Sequence, residues 1–263
     1  MESWSAHDDS GDEVSTGTLI AVAVIGAAVG FLSGLFGKGG SAVATPMLSV
    51  AGVPAIVAVA SPLPGVIPST LAASYAYWRE GLQDWRIVRW SIAVGTPATV
   101  FGAYASRWTG GPPLVIATEI ILVLLGARFL LHPGDPHERP ATPRAIRTRI
   151  VIVAAIVGLL SGLLANGGGF LLAPLYVIVL RLPIKQAFAC SLTVATALAI
   201  PGTVVHAVLG HIDWAVVALF SVTAIPLAYL GARVALRTHA QRLERIYGAG
   251  LLALGALTLA LSV

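Results

Sequence analysis

Two short stretches hold the chain's most unusual mixture of residue types. Leu35–Met47 reads LFGKGGSAVATPM, and Leu163–Leu175 reads LLANGGGFLLAPL, a worn copy of the first. In each, a glycine cluster opens a short apolar run, with Lys38 inside one cluster and Asn166 inside the other. Free N–H groups at a helix start attract an anion, and the aligned peptide dipoles add to the pull. Glycine lets backbone approach closely. Lys38 adds a full positive charge, whereas Asn166 adds neutral donors and one acceptor. This combination suits the grip of a small oxyanion by Lys38 and the N–H groups of Gly39, Gly40 and Ser41, and of Gly167, Gly168 and Gly169. Asn166 and the hydroxyls of Ser33, Ser161, Ser191 and Thr193 would complete the shell. Two readings of Lys38 stay open. It snorkels to an interface, or it stays deep and must meet an anion or carboxylate, because a lone charge in lipid is costly.

A second interruption supports a cavity. Ser61–Thr70, SPLPGVIPST, sets Pro62, Pro64 and Pro68 within one apolar segment. Each proline removes a backbone donor and frees a carbonyl. The matching stretch of the second half, CSLTVATALAIP, has Ser191, Thr193 and Thr196 instead. Those hydroxyls suit an oxyanion, and they equally suit bonds to their own helix's carbonyls. Tyr77, His206 and Glu119 are the candidates for a gate or proton relay; a packed, hydrogen-bonded ring is the plainer reading of the first two. No HExxH, CxxC or P-loop pattern occurs, and the serines lack an evident base, so enzymatic chemistry is not expected. Nor is a metal or cofactor.

The elements that must position these residues are membrane helices. Hydrophobic residues make up 57% of the 263, and charged residues only 11%, against roughly 25% charged in soluble domains. Long apolar stretches with few charges run over Thr18–Phe36, Ala55–Trp78, Trp90–Arg107, Leu114–Leu131, Val151–Ala165, Leu192–Leu209, Trp214–Leu236 and Tyr247–Leu261. They are continuously apolar, unlike barrel strands. The net charge of +4 does not point to nucleic acid, because the arginines are scattered among short loops. Cys190 is the single cysteine, which excludes an intrachain disulfide. The first residues, MESWSAHDDSGDEVST, lack a positive n-region and read as an acidic tail before a retained span.

The chain is duplicated. A shift of 128 residues carries Gly30, Ser33, Gly34, Leu35, Gly39, Gly40 and Pro46 onto Gly158, Ser161, Gly162, Leu163, Gly167, Gly168 and Pro174. A shift of 129 then carries Gly81, Asp84 and Trp85 onto Gly210, Asp213 and Trp214, and Tyr77 onto His206. Each half holds five apolar segments, the second short: Ser41–Gly52 and Gly169–Leu180. Twelve helical residues reach about 18 Å, less than the roughly 30 Å of a hydrocarbon core. These segments either cross as tilted half-helices or turn back.

Positive charge decides between the two, because cytoplasmic loops collect Lys and Arg. With the tail outside and all five segments crossing, the basic residues of 79–89, 128–149, 181–185 and 233–245 all fall inside. Arg107 alone falls outside, with Lys38 unassigned. Five crossings also invert the second copy. The expected fold is therefore an all-α polytopic membrane protein with two five-segment inverted-topology repeats and short broken helices at the midplane. Its parts would be an acidic extracytoplasmic tail (1–17), a first repeat (18–131), a cytoplasmic linker (132–149) and a second repeat (150–263). Both termini would lie outside a prokaryotic plasma membrane.

GFLSGLFGKGGSAVATPML, GLLSGLLANGGGFLLAPLY and the following ACSLTVAT resemble the TauE/SafE sulfite-exporter family of prokaryotic permeases. The resemblance implies secondary transport of sulfite or a small organosulfonate such as sulfoacetate, and a substrate path built by the paired glycine segments. Two departures fall in the first half: Lys38 stands where a small or amide residue is expected, and the prolines of Ser61–Thr70 replace hydroxyls. A fixed lysine charge still favours an anion. The reading is an exporter working by alternating access; an anion channel and an anchoring subunit without transport are the alternatives. The partners expected are a small anion and the bilayer, with no nucleic acid, and self-association is left open.

Overall fold

The computed structural model describes residues 16–37, 41–105, 111–131, 143–163 and 169–262. Among them the regular elements are all helical. The first half holds α1 (Thr16–Phe36), α2 (Ser41–Val50), α3 (Ala55–Ala60), α4 (Pro62–Arg79), α5 (Trp85–Ala105) and α6 (Gly111–Leu131). The second holds α7 (Pro143–Leu163), α8 (Gly169–Ile178), α9 (Ile184–Val208), α10 (Trp214–Arg237) and α11 (Ala240–Ser262). Five helices of the described residues are long and apolar enough to cross a membrane: Gly17–Phe36, Ile56–Arg79, Arg144–Leu163, Ile184–Val208 and Trp214–Arg237.

The duplication read in the sequence recurs in the elements. Shifts of 128 and 129 residues carry α2 onto α8 and the joined α3–α4 onto α9, end for end. α3 and α4 are separate because Pro62 and Pro64 have no N–H for the carbonyls of Ala58 and Ala60, although Ser61 between them keeps helical angles. α9 has hydroxyl residues at the matching positions and runs unbroken. α7 begins at Pro143, ahead of the apolar run, with proline in the first helical position where its missing N–H costs nothing.

The turns repeat too. After α4, Gly81 takes φ 68° and the Leu82 N–H bonds the Tyr77 carbonyl at 3.3 Å. After α9, Gly210 takes φ 70° and the His211 N–H bonds the His206 carbonyl at 3.1 Å. Both are left-handed closures that glycine adopts without strain. Asp84 and Asp213 then cap α5 and α10, one carboxylate oxygen of each accepting two N–H groups of the first turn.

Close contacts define the helix directions. Gly30 of α1 lies on Ala224 of α10, and Gly34 on Ala228 and Ala232, so these helices run parallel. Gly158 of α7 lies on Gly95 and Ala98 of α5, and Gly102 on Leu159 and Leu163, again parallel. Ser61 meets Asp213 and Gly65 meets Phe220, which makes α4 parallel to α10. α4 and α9 cross antiparallel, Thr70 beside Thr196 and Ser74 beside Thr193. α6 and α11 also cross antiparallel, with Gly126 on Leu252 and Gly248 on Leu130. The small-residue positions of α1 and α7 are thus sites of backbone approach, as GxxxG spacing suggests.

Basic helix ends gather on one side. The Arg147 guanidinium lies 3.9 Å from the Trp90 ring centroid, Arg149 donates to the Val179 carbonyl, and Lys185 donates to the Leu236 carbonyl.

A methyl added at Gly34 would overlap the Ala228 carbonyl. Gly34→Ala is therefore expected to destabilise the protein by about 1–3 kcal/mol, while Ala28→Val on the exposed face of α1 changes little. Unfolding of both variants in mixed-detergent titrations measures the difference.

Candidate functional site

Polar groups concentrate where α4 crosses α9. Thr70 and Thr196 face each other with hydroxyl oxygens 2.7 Å apart. Thr70 also lies 2.7 Å from the Val66 carbonyl, and Thr196 lies 2.9 Å from that of Leu192. Each hydroxyl has one proton. Either Thr70 donates across to Thr196, which donates to Leu192, or the order reverses and ends on Val66. The pair therefore stays satisfied in two orientations and can release one donor without orphaning a carbonyl completely.

One turn along, Ser74 and Thr193 hydroxyls stand 2.6 Å apart. The Gln83 amide, from the turn after α4, reaches back to donate to both. Thr193 in turn lies 3.3 Å from the Ala189 carbonyl. Further toward the start of α9, the Ser191 hydroxyl donates to the Gly37 carbonyl at 2.6 Å. The Tyr77 hydroxyl donates to the Gly34 carbonyl at 3.1 Å. Both bonds tie off the carbonyl end of α1, whose last carbonyls have no helical donor. Gly37 takes φ 62° and packs on Phe188, leaving no room for a side chain.

Lys38, Gly39, Gly40, Asn166, Gly167 and Gly168 lie outside the described residues, as do 132–142 of the expected linker. Ser41 and Gly169 are the first residues of α2 and α8. Among the other expected residues, the fold brings Ser191 against Gly37, next to Lys38 in the chain, and Thr193 against Ser74 and Gln83. Ser33 is buried one position before the Gly34 that Tyr77 holds. Ser161 is not in this group. It sits near the end of α7, whose Leu163 lies against Gly102, toward the far end of α5.

α5 and α9 run parallel, Asp84 meeting Cys190 and Gly95 meeting Leu198. The ends of α1 and α7 therefore stand toward opposite ends of the α4–α9 crossing. At the far end, the Ser161 and Thr203 hydroxyls are buried without a hydrogen-bond partner. His206 stands there as well, its Nδ1 3.3 Å from Nδ1 of His211. It pairs with a second imidazole, whereas Tyr77, its match in the first half, pairs with a backbone carbonyl. Glu119 falls within α6, and its side chain lies outside the description.

Sequence reasoning missed Thr70, Ser74, Gln83 and Thr203. Thr70 and Ser74 share a helix face with Tyr77 at spacings of four and three, and that periodicity was a readable signal. Gln83 gave none, because it reaches the crossing only through the fold of the turn that carries it.

Apolar helices long enough to span, with a polar crossing between two of them, define a multi-pass membrane protein. The chain belongs to the family described as Sulfite exporter TauE/SafE, whose sequence model matches residues 22–258. A probable membrane transporter protein of Xylella fastidiosa (strain 9a5c) is 29% identical over 242 residues, covering 88% of this chain and 91% of its own. The probable membrane transporter protein YunE of Bacillus subtilis (strain 168) is 24% identical, covering 82% and 87%. YjnA of the same organism, likewise named a probable membrane transporter protein, is 23% identical over 90% and 98%. No solved structure matches the chain.

The two threonines yield a stability test. Thr70→Val and Thr196→Val each leave one hydroxyl with a carbonyl of its own helix. A double-mutant cycle should give a coupling of only about 0.6 kcal/mol, typical of hydrogen bonds between membrane helices. Unfolding free energies of the four proteins measure it.

Proposed function

We propose that this protein is a secondary transporter that exports a small sulfur-containing oxyanion, sulfite or an organosulfonate such as sulfoacetate, by alternating access. As a member of the TauE/SafE family the chain is a membrane transporter; substrate, direction and mechanism are the proposal. The observation that carries it is the hydroxyl-lined α4–α9 crossing, joined through Ser191 and Gly37 to the residue before Lys38. Hydroxyls and amides with alternative partners can turn toward an oxyanion, and Lys38 supplies the charge that selects one.

The halves are read as inverted-topology repeats. The contacts behind that reading make α1, α4 and α10 parallel and set α9 against α4. Corresponding helices of the two halves then point oppositely. α8 runs back along α7, with Val179 just beyond its end bonded to Arg149 near the start of α7. Tyr176 of α8 bonds Ser91 of α5 at 2.6 Å. Gly169, seven residues earlier, then lies about 10 Å further along α5 at 1.5 Å per residue, near its middle. Half-helix starts near the midplane suit anion binding in a transporter of two repeats. Lys38, the N–H groups of Gly39–Ser41 and Gly167–Gly169, Asn166, Ser33, Ser191 and Thr193 form the proposed shell; Ser161, toward the far end of the crossing, is left out of it. The cytoplasmic side is assigned to the basic helix ends.

Purified protein in liposomes should exchange labelled sulfite or sulfoacetate for internal substrate and saturate, with sulfate and thiosulfate as competitors. Lys38→Ala should lower exchange by tenfold or more, on the order of one charged hydrogen bond. Steady single-channel current in place of counterflow sinks the carrier reading, and wild-type uptake by the variant removes Lys38 from the site. Orientation is checked by cysteines placed at Thr142 and at Thr109 in a Cys190→Ala background. An impermeant maleimide applied to intact cells should label position 109 and spare 142.

A further inference from the structure

Away from the α4–α9 crossing, a cavity of about 370 Å³ opens among the basic helix ends, lined by Glu80, Leu82, Lys185, Arg233, Leu236 and Arg237. Three cations and one carboxylate converge on it from the end of α4, the start of α9 and the last turns of α10. Clustered cations at a helix end ordinarily serve its carbonyls. Here three of the last four carbonyls of α10 are already served. The Thr238 N–H bonds the Val234 and Ala235 carbonyls, the Thr238 hydroxyl bonds Val234 again, and Lys185 bonds Leu236 at 2.7 Å. None of those three is served by Arg233, whose guanidinium lies 6.0 Å from the Tyr229 ring centroid, or by Arg237, and two N–H groups of Lys185 remain.

We propose that this cavity is a binding site for an oxyanion of the phosphate or sulfonate class, held by Arg233, Arg237 and Lys185. Planar guanidinium forks match the paired oxygens of such groups, and the volume lies in the range of small-ligand sites. With Glu80 also among the lining residues, the site keeps an excess of two positive charges. The site stands at the ends of apolar helices, so two sources present the same chemistry: the phosphodiester of an anionic lipid and a free small sulfonate. The proposal does not depend on transport, and it concerns residues outside the proposed translocation shell.

The test uses the full chain in phosphatidylcholine nanodiscs, titrated with sulfoacetate by calorimetry, beside discs that also contain phosphatidylglycerol. Wild type should bind sulfoacetate in the neutral discs, more weakly as salt rises. Arg233→Gln with Arg237→Gln should weaken binding about tenfold, from two partly screened charges. Arg233→Lys with Arg237→Lys keeps the charge but not the fork and should recover only part of it, which separates a lost ligand from a lost fold. If phosphatidylglycerol abolishes sulfoacetate binding, or is itself retained through native mass spectrometry by wild type and not by the glutamine variant, the lipid is the occupant and the site stands. Equal behaviour of wild type and the glutamine variant toward both probes overturns it. Failure of liposome exchange with this binding intact would count against the transport reading alone.

Discussion

A chain that stops being helical inside lipid leaves backbone groups with no water to turn to, and each must find a partner within the protein. In this fold the carbonyl end of α1 meets that requirement through two side chains of other helices, Tyr77 of α4 for Gly34 and Ser191 of α9 for Gly37. Those bonds tie the end of α1 to both members of the central crossing. They also bring the buried hydroxyls of α9 next to the glycine segment. The same atoms that make the interruption tolerable thus assemble the polar surroundings of the proposed site. Removing either takes a donor from a backbone carbonyl at the end of α1, and a buried carbonyl left unpaired costs more than the net value of one hydrogen bond.

The duplicated frame carries different chemistry in its two copies. The closures after α4 and α9, the aspartate caps of α5 and α10, and the glycine contacts α1–α10 and α5–α7 all recur. Side chains on that frame diverge. Pro62 and Pro64 occupy in α4 the places that Ser191 and Thr193 occupy in α9. Prolines free carbonyl acceptors, whereas hydroxyls offer donors. At the end of the crossing where the prolines lie, the Thr203 and Ser161 hydroxyls are buried without a partner.

Much of the architecture was legible in residue types alone, because lipid imposes strong local rules. Apolar runs define spans, the short second segments appear as α2 and α8, and the paired Gly-Asp-Trp motifs appear as matched turns and caps. Glycines at GxxxG spacing were readable as packing positions for the same reason: only a missing side chain permits that approach. Proline content gave away the α3–α4 break.

What only the tertiary structure decided is which polar groups meet. Thr70 reaches Thr196 across 126 positions of sequence, and Gln83 reaches Thr193 across 110. A hydroxyl on a membrane helix satisfies its own helix's carbonyl as readily as a neighbour's, so its residue type does not reveal its partner. The choice follows from the antiparallel crossing of α4 and α9 and from the turn that folds Gln83 back. Composition and the repeated motifs by themselves determined a duplicated, membrane-spanning helical chain with two glycine-rich segments. Helix packing alone determined that hydroxyls from both halves line one crossing, because hydrogen bonds act over a few ångströms and only the fold brings distant residues that close.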